Sequence, residues 1–205
     1  MRRPVDLGRL YAITPDRSPR EIEQLVDAWL AAGVRAIQLR HTGLGRAERF
    51  ELATRLVARA HGASATLIVN DELDIALAAG ADGVHLGPDD LTVAAARRAG
   101  GTEILIGASA ATPEAARQAE SEGADYLGSG PAFASTNKTT KPVIGPAGIA
   151  AVAAAVSIPV FAIGGITPER VGQLRASGIE RVAVIAALAG GDPAGAATAF
   201  LGALS

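Results

Sequence analysis

The chain contains no cysteine among its 205 residues, which removes disulfides, thiolate zinc sites, iron–sulfur clusters and cysteine nucleophiles from consideration whatever the compartment. Aromatic residues make up only 3 %, and the formal net charge is −2. So weak a charge balance argues against a general nucleic-acid binder, whose footprint would be basic, and an anionic ligand would have to be held by local groups. A long uninterrupted hydrophobic run is also missing. The uncharged stretch from Val143 to Ile166 is the one place to suspect a membrane span, but Pro159 and Gly164-Gly165 break it. It reads better as an Ala-rich helix, Ile149 to Val156, followed by a buried strand, Ile158 to Ile163. The opening hexapeptide Met1-Arg2-Arg3-Pro4-Val5-Asp6 has two positive charges but no apolar core of the kind a secretory signal needs. A cytoplasmic protein without nucleic-acid or membrane partners is expected, folding as one domain over residues 1–205.

What is abundant is glycine, 24 residues, and short aliphatic runs. Eight such runs recur: Leu10 to Ile13, Val34 to Leu39, Thr66 to Val69, Val84 to Leu86, Glu103 to Ile106, Asp125 to Gly128, Ile158 to Ile163 and Arg181 to Ile185. Between them lie stretches with helical spacing, such as Ile22, Leu25, Val26 and Trp29 on one face. Ser18-Pro19, Thr112-Pro113, Thr167-Pro168 and Asp192-Pro193 each set an N-cap residue before a proline, and Ser18 with Glu21 makes a capping box. Gly33, Gly80, Gly123 and Gly178 sit where C-cap glycines do. Eight strand–helix units of roughly 25 residues fill a minimal (β/α)8 TIM barrel, for which about 200 residues is the lower limit. A doubly wound open sheet is the structural rival, and normally needs fewer strands.

In such a barrel the chemistry lies at the C-terminal ends of the strands. The period of two in Val34–Arg40 puts Ala36, Gln38 and Arg40 on the inner face and Ile37 and Leu39 toward the helices. Arg40 suits a phosphate, or simply reaches solvent. Asp71 and Asp90 follow neighbouring strands and share a hard cation such as Mg²⁺, or else Asp71 caps the helix beginning at Glu72 and Asp89 or Asp90 the one beginning near Leu91. His85 points inward, where a lone His is more often hydrogen-bonded packing than a catalyst. The segment Gly128 to Lys138, with Ser135, Asn137 and Lys138, offers hydroxyls, amides and a cation to a phosphorylated ligand. Gly164-Gly165 and Ile185-Ala186 follow the strands whose loops often build phosphate sites.

These segments together resemble thiamine-phosphate synthase from Leu10 to Pro193. The motifs that carry the resemblance are Gln38-Leu39-Arg40, Val69-Asn70-Asp71, Gly83-Val84-His85-Leu86-Gly87 with Asp90, Gly107-Ala108-Ser109, Asp125-Tyr126 with Gly130-Pro131, Lys138, and Ala162 to Ile166. The resemblance implies a transferase that joins hydroxymethylpyrimidine diphosphate to a phosphorylated thiazole alcohol through departure of diphosphate and capture of a pyrimidine methyl cation. It implies Asp71 and Asp90 as Mg²⁺ ligands, with Gln38, Arg40, Asn70 and Lys138 binding diphosphate oxygens and Asn137 among the substrate-binding residues. Ser109 would donate to the leaving group, with Arg40 and Lys138 sharing the catalytic role. His85 and Tyr126 would line the pyrimidine pocket, and Ser135, Gly165, Ile185 and Ala186 the thiazole phosphate.

The chain departs from the family pattern at four places. Thr42 stands where a Lys is usual, the loop Ala134 to Lys138 lacks two threonines and a proline, Ala111 replaces a common His, and Ala186 replaces a Ser. Protonated His41 or Lys141 could compensate for the missing cation. The sister thiazole tautomerases, and a noncatalytic relative that binds a thiazole or thiamine phosphate, are the alternatives. The tautomerases use a His after the fifth strand, and Ala111 occupies that place. A homodimer is compatible with the Ala-rich helices.

Overall fold

The computed structural model describes residues 7–134 and 142–205. The N-terminal hexapeptide and the predicted site residues Ser135, Asn137 and Lys138, with Lys141, lie outside the described residues. Eight strands alternate with eight helices: β1 Leu10–Ile13, α1 Pro19–Ala31, β2 Ala36–Leu39, α2 Arg46–Gly62, β3 Thr66–Asn70, α3 Leu73–Ala79, β4 Gly83–Leu86 and α4 Val93–Gly100, then β5 Leu105–Ser109, α5 Pro113–Ser121, β6 Tyr126–Ser129, α6 Gly145–Ala154, β7 Val160–Ile163, α7 Pro168–Ala176, β8 Val182–Val184 and α8 Pro193–Ala203. All neighbours are parallel, and β1 also pairs with β8 through Leu10↔Val182 and Tyr11↔Ala183, which closes the barrel and excludes the open sheet. No helix among the described residues is long and apolar enough to cross a membrane.

Caps and period explain the elements. At α1 the Ser18 side chain and Glu21 form the reciprocal capping box, and Ile22, Leu25, Val26 and Trp29 bury one stripe. The Trp29 indole donates to Leu188 O at 2.9 Å, which ties α1 to the turn after β8. Thr112 and Asp192 cap as expected, whereas Thr167 occupies its N-cap position without a side-chain bond to a helix amide and engages the Glu169 side chain instead. Five strands begin later than their aliphatic runs, β2, β5 and β7 by two residues and β6 and β8 by one. Pro159 has no N–H to give, so β7 starts at Val160 and Pro159 only accepts, from the Leu127 amide at 2.8 Å. Thr102 and Glu103 belong to the turn after Gly101, and β5 instead extends to Ser109, paired with Gly128.

The core has two layers, as the period of two requires. Ile37, Leu39, Val84 and Leu86 face the helices. Inside the barrel, Tyr11, Ala36, Ile68, Leu105, Tyr126, Phe161 and Ala183 pack together. This inner layer is the floor on which the polar residues at the strand ends stand.

Candidate active site

Arg40 follows β2 and is fixed by a residue that the sequence reading missed. Thr14, fully buried after β1, accepts from the Arg40 amide at 2.9 Å and donates to the Arg40 carbonyl at 2.8 Å. The guanidinium lies 3.5 Å from Asp16. Asp16 in turn accepts from the Thr42 amide at 2.7 Å and the Thr42 hydroxyl at 2.9 Å. Burial alone would raise the Asp16 carboxyl, but the two Thr42 bonds and the Arg40 charge hold it below the ordinary carboxylate value. Thr42 supplies no cation, yet it anchors the acid that orients Arg40. Nor does His41 stand in for one. Its Nδ1 accepts from the amides of Gly43 and Leu44 at 3.0 and 2.9 Å, so Nε2 carries the proton and donates to Arg17 O at 2.9 Å. Both ring nitrogens are taken up by backbone groups, so the ring is held in its own turn.

Asp71 follows β3 in the left-handed region, at φ 63, with its amide on His85 O at 2.8 Å. It caps nothing, because α3 begins at Leu73. Asp90 likewise leaves the capping of α4 to Thr92 and accepts from the Gly87 amide at 2.7 Å. Free of capping duty, the two carboxyls turn toward each other and hydrogen-bond. Burial, followed by the Asp90 hydrogen bond and charge, pushes the Asp71 carboxyl up to about 6, against the pull of Arg40. Asn70 ends β3 half-buried, paired in register with His85.

His85 does point inward. It lies between Tyr126, at 3.3 Å from Nδ1, and Ser109, at 3.1 Å from Nε2. Burial lowers its pKa to about 4 against the Asp90 charge, so the ring is neutral at pH 7. Two predicted contacts sit deeper than the rim. Gln38 is 2 % exposed with its amide on the Tyr11 hydroxyl at 2.8 Å, and Tyr126 is 0 % exposed, joined to the site only through His85.

Ser109, Gly165, Ile185 and Ala186 all line one cavity of about 870 Å³ at the C-terminal ends of β5 to β8. Its far wall is the Gly164-Gly165 turn, laced to the loop after β6 by Ala132 N to Ile163 O at 2.8 Å and Phe133 N to Gly164 O at 3.0 Å. Arg170 was not foreseen here. It lines the cavity, donates to Gly165 O at 2.6 Å and lies 5.0 Å over the Phe133 ring. The sequence did carry a signal for it, since an arginine in the first turn of α7 opposes the helix dipole unless it has local work.

The donor set at Asp71 and Asp90 suits a hard cation. Among the described residues no cluster of three metal-ligating side chains occurs, and two adjacent carboxylates facing open space match the way Mg²⁺ binds, through one or two carboxylates plus ligand phosphate oxygens.

A closed parallel barrel with an acid pair, an arginine and a glycine-lined cavity at its strand ends is a small-molecule enzyme of the (β/α)8 class. The family described as thiamine monophosphate synthase matches residues 10–188, and the chain belongs to it. A thiamine-phosphate synthase from Salinispora arenicola is 45 % identical over 204 residues, covering 97 % of this chain and 98 % of that protein. One from Moorella thermoacetica is 46 % identical over 175 residues, 85 % of this chain and 83 % of that one. The solved thiamine phosphate pyrophosphorylase from Pyrococcus furiosus superposes with a TM-score of 0.85 at 33 % identity, over 96 % and 95 % of the two chains.

Proposed function

We propose that the protein is a cytoplasmic, Mg²⁺-dependent thiamine-phosphate synthase that joins hydroxymethylpyrimidine diphosphate to hydroxyethylthiazole phosphate and releases diphosphate. The observation that carries this reading is an acid pair within the field of Arg40, linked through His85 to Ser109, which itself opens onto the 870 Å³ cavity ended by Gly165. One side suits a departing diphosphate, the other a phosphorylated acceptor. The relatives' names favour the synthase over the tautomerase and over a noncatalytic binder.

The work of the site is to stabilise a leaving anion without hindering capture of the cation left behind. Asp71 and Asp90 would hold Mg²⁺, which when bound neutralises diphosphate charge. Arg40, oriented by Thr14 and Asp16, binds diphosphate oxygens with Asn70, and Lys138 is assigned to the same task from the sequence alone. Ser109 donates its hydroxyl to the leaving oxygen. Neutral His85 faces the pyrimidine ring without placing a second cation beside the carbocation. The backbone of Gly165 and of Ile185-Ala186 receives the thiazole phosphate, with Ser135 assigned there by sequence.

Purified protein, both substrates and Mg²⁺, with thiamine phosphate measured directly, tests the reading, and no product with or without metal overturns it. Arg170→Ala should raise KM for the thiazole phosphate about tenfold with kcat little changed. It removes one charged hydrogen bond and one cation–π contact from the Gly165 turn, together worth roughly 1–3 kcal/mol. Steady-state kinetics with the thiazole phosphate varied measure it.

A further inference from the structure

We propose that a buried chain of hydrogen bonds, Gln38–Tyr11–Tyr126–His85–Ser109, has a fixed direction that keeps the proton of His85 on Nε2 and so leaves the Ser109 hydroxyl proton free for a ligand. Gln38, Tyr11 and Tyr126 are then positioning residues, and the catalytic consequence rests on the reading that Ser109 serves the leaving diphosphate.

The direction follows from counting protons. Gln38 Nε2 is a donor only, and it bonds the Tyr11 hydroxyl at 2.8 Å. The Tyr11 oxygen thereby accepts, and its other polar neighbour among the described residues is the Tyr126 hydroxyl at 2.9 Å, to which its proton must go if it is not to be orphaned in the core. Tyr126 must then give its own proton to His85 Nδ1, at 3.3 Å. An imidazole that accepts at Nδ1 and is neutral carries its proton on Nε2, where Ser109 Oγ waits at 3.1 Å. Ser109 accepts from His85, and its hydroxyl proton points elsewhere. Ser109 is exposed and lines the cavity, so that elsewhere is the ligand.

The packing around the chain is built to hold it. Tyr11, Tyr126 and Phe161 meet edge to face, with ring centroids 5.5 to 5.9 Å apart, and none of the three is more than 2 % exposed. Burial raises both tyrosines above the ordinary phenol value, so they remain donors at any working pH. Gly107 stands in register between His85 and Tyr126, and a Cβ there would overlap Tyr126 Cζ and come within 2.6 Å of His85 Nδ1. Only a glycine lets the two side chains meet across β5.

The test is the tautomer of His85 in the unliganded, full-length protein, read from 15N shifts after labelling histidine, of which the chain has three. His41→Gln and His61→Gln variants assign the signals. The expected result is a neutral His85 with its proton on Nε2, and a signal from the Nδ1–H form overturns the proposal. Tyr126→Phe keeps the ring packing and removes the proton given to Nδ1. It should shift His85 toward a mixture of tautomers and lower kcat roughly tenfold while KM for the thiazole phosphate stays within about twofold. An unchanged tautomer in that variant also overturns the proposal, and the wild-type measurement stands by itself if the variant does not fold. Because the spectra need no substrate, absence of thiamine phosphate formation would defeat the proposed function and leave this test standing.

Discussion

Asp71→Ala and Asp90→Ala should each lower thiamine phosphate formation by about a hundredfold or more, the cost of losing one preorganised stabiliser of a departing anion. The two acids have no structural task that would explain such a loss otherwise. Neither caps a helix, and the one main-chain bond Asp90 receives, from Gly87, holds it where it meets Asp71. The burial of Asp71, with Asp90 beside it, gives a second readout. Asp71 is raised from 3.8 to about 6, so its stabilising contribution is full below the unfolded value and is lost as pH rises through about 6. Above that the folded protein carries two adjoining carboxylates at a cost. Asp71→Asn should therefore melt higher than wild type at about pH 8 and not at about pH 4, by about 1 kcal/mol once discounted for the exposure of the site. Mg²⁺ at about ten times its Kd should add roughly 1.4 kcal/mol to the wild type and little to the variant, and the gain should fade below about pH 6 as the ligand is protonated. Equal Mg²⁺ stabilisation of both proteins would remove the metal from these acids.

How much of this was legible depends on the range over which each residue acts. Helices were readable because their signals are local: Ser18 with Glu21, Thr112 and Asp192 sit within three residues of what they cap. Strand faces were readable because the period of two sorts Gln38 from Ile37 and Leu39 without knowing the neighbours. Closure was readable from the count of eight strand–helix units, whereas the partners that complete it, Leu10 with Val182, are a property of the whole ring. At the site, the family motifs marked Arg40, Asp71, Asp90 and Ser109 but gave no depth. Gln38 and Tyr126 look like their neighbours in sequence and are withdrawn beneath His85 only because Tyr11 and Phe161 fill the barrel around them. Asp16 and Thr14 escaped because they act on Arg40 from another strand end, 24 and 26 positions away. Thr42 was noticed for the cation it lacks, whereas its observed role is the pair of bonds it gives Asp16.

Gly165→Ala should unsettle the phosphate end of the cavity. The residue sits at φ +63, and a Cβ would stand 2.7 Å from Phe133 O and 2.8 Å from Ala134 O. Those are backbone atoms, held by the Ala132 and Phe133 amides to the same turn, so they cannot yield without parting the two loops. Left-handed strain and the clash together should cost roughly 2–3 kcal/mol, or about 5–10 °C in Tm for a chain of this size. Because the same movement displaces the amides assigned to the thiazole phosphate, KM for that substrate should rise at least about tenfold. Gly172→Ala is the counterpart. It lies within α7 with nothing inside 4 Å of its Cβ, so the same methyl should stabilise the helix by roughly 0.5–1 kcal/mol and leave KM alone. Opposite signs for one chemical change seven residues apart, measured by thermal melts and steady-state kinetics, would tie the effect at Gly165 to backbone geometry and loop contact. Matching small effects at both positions would mean that the Gly165 turn adapts, and that its carbonyl contacts do not define the phosphate site.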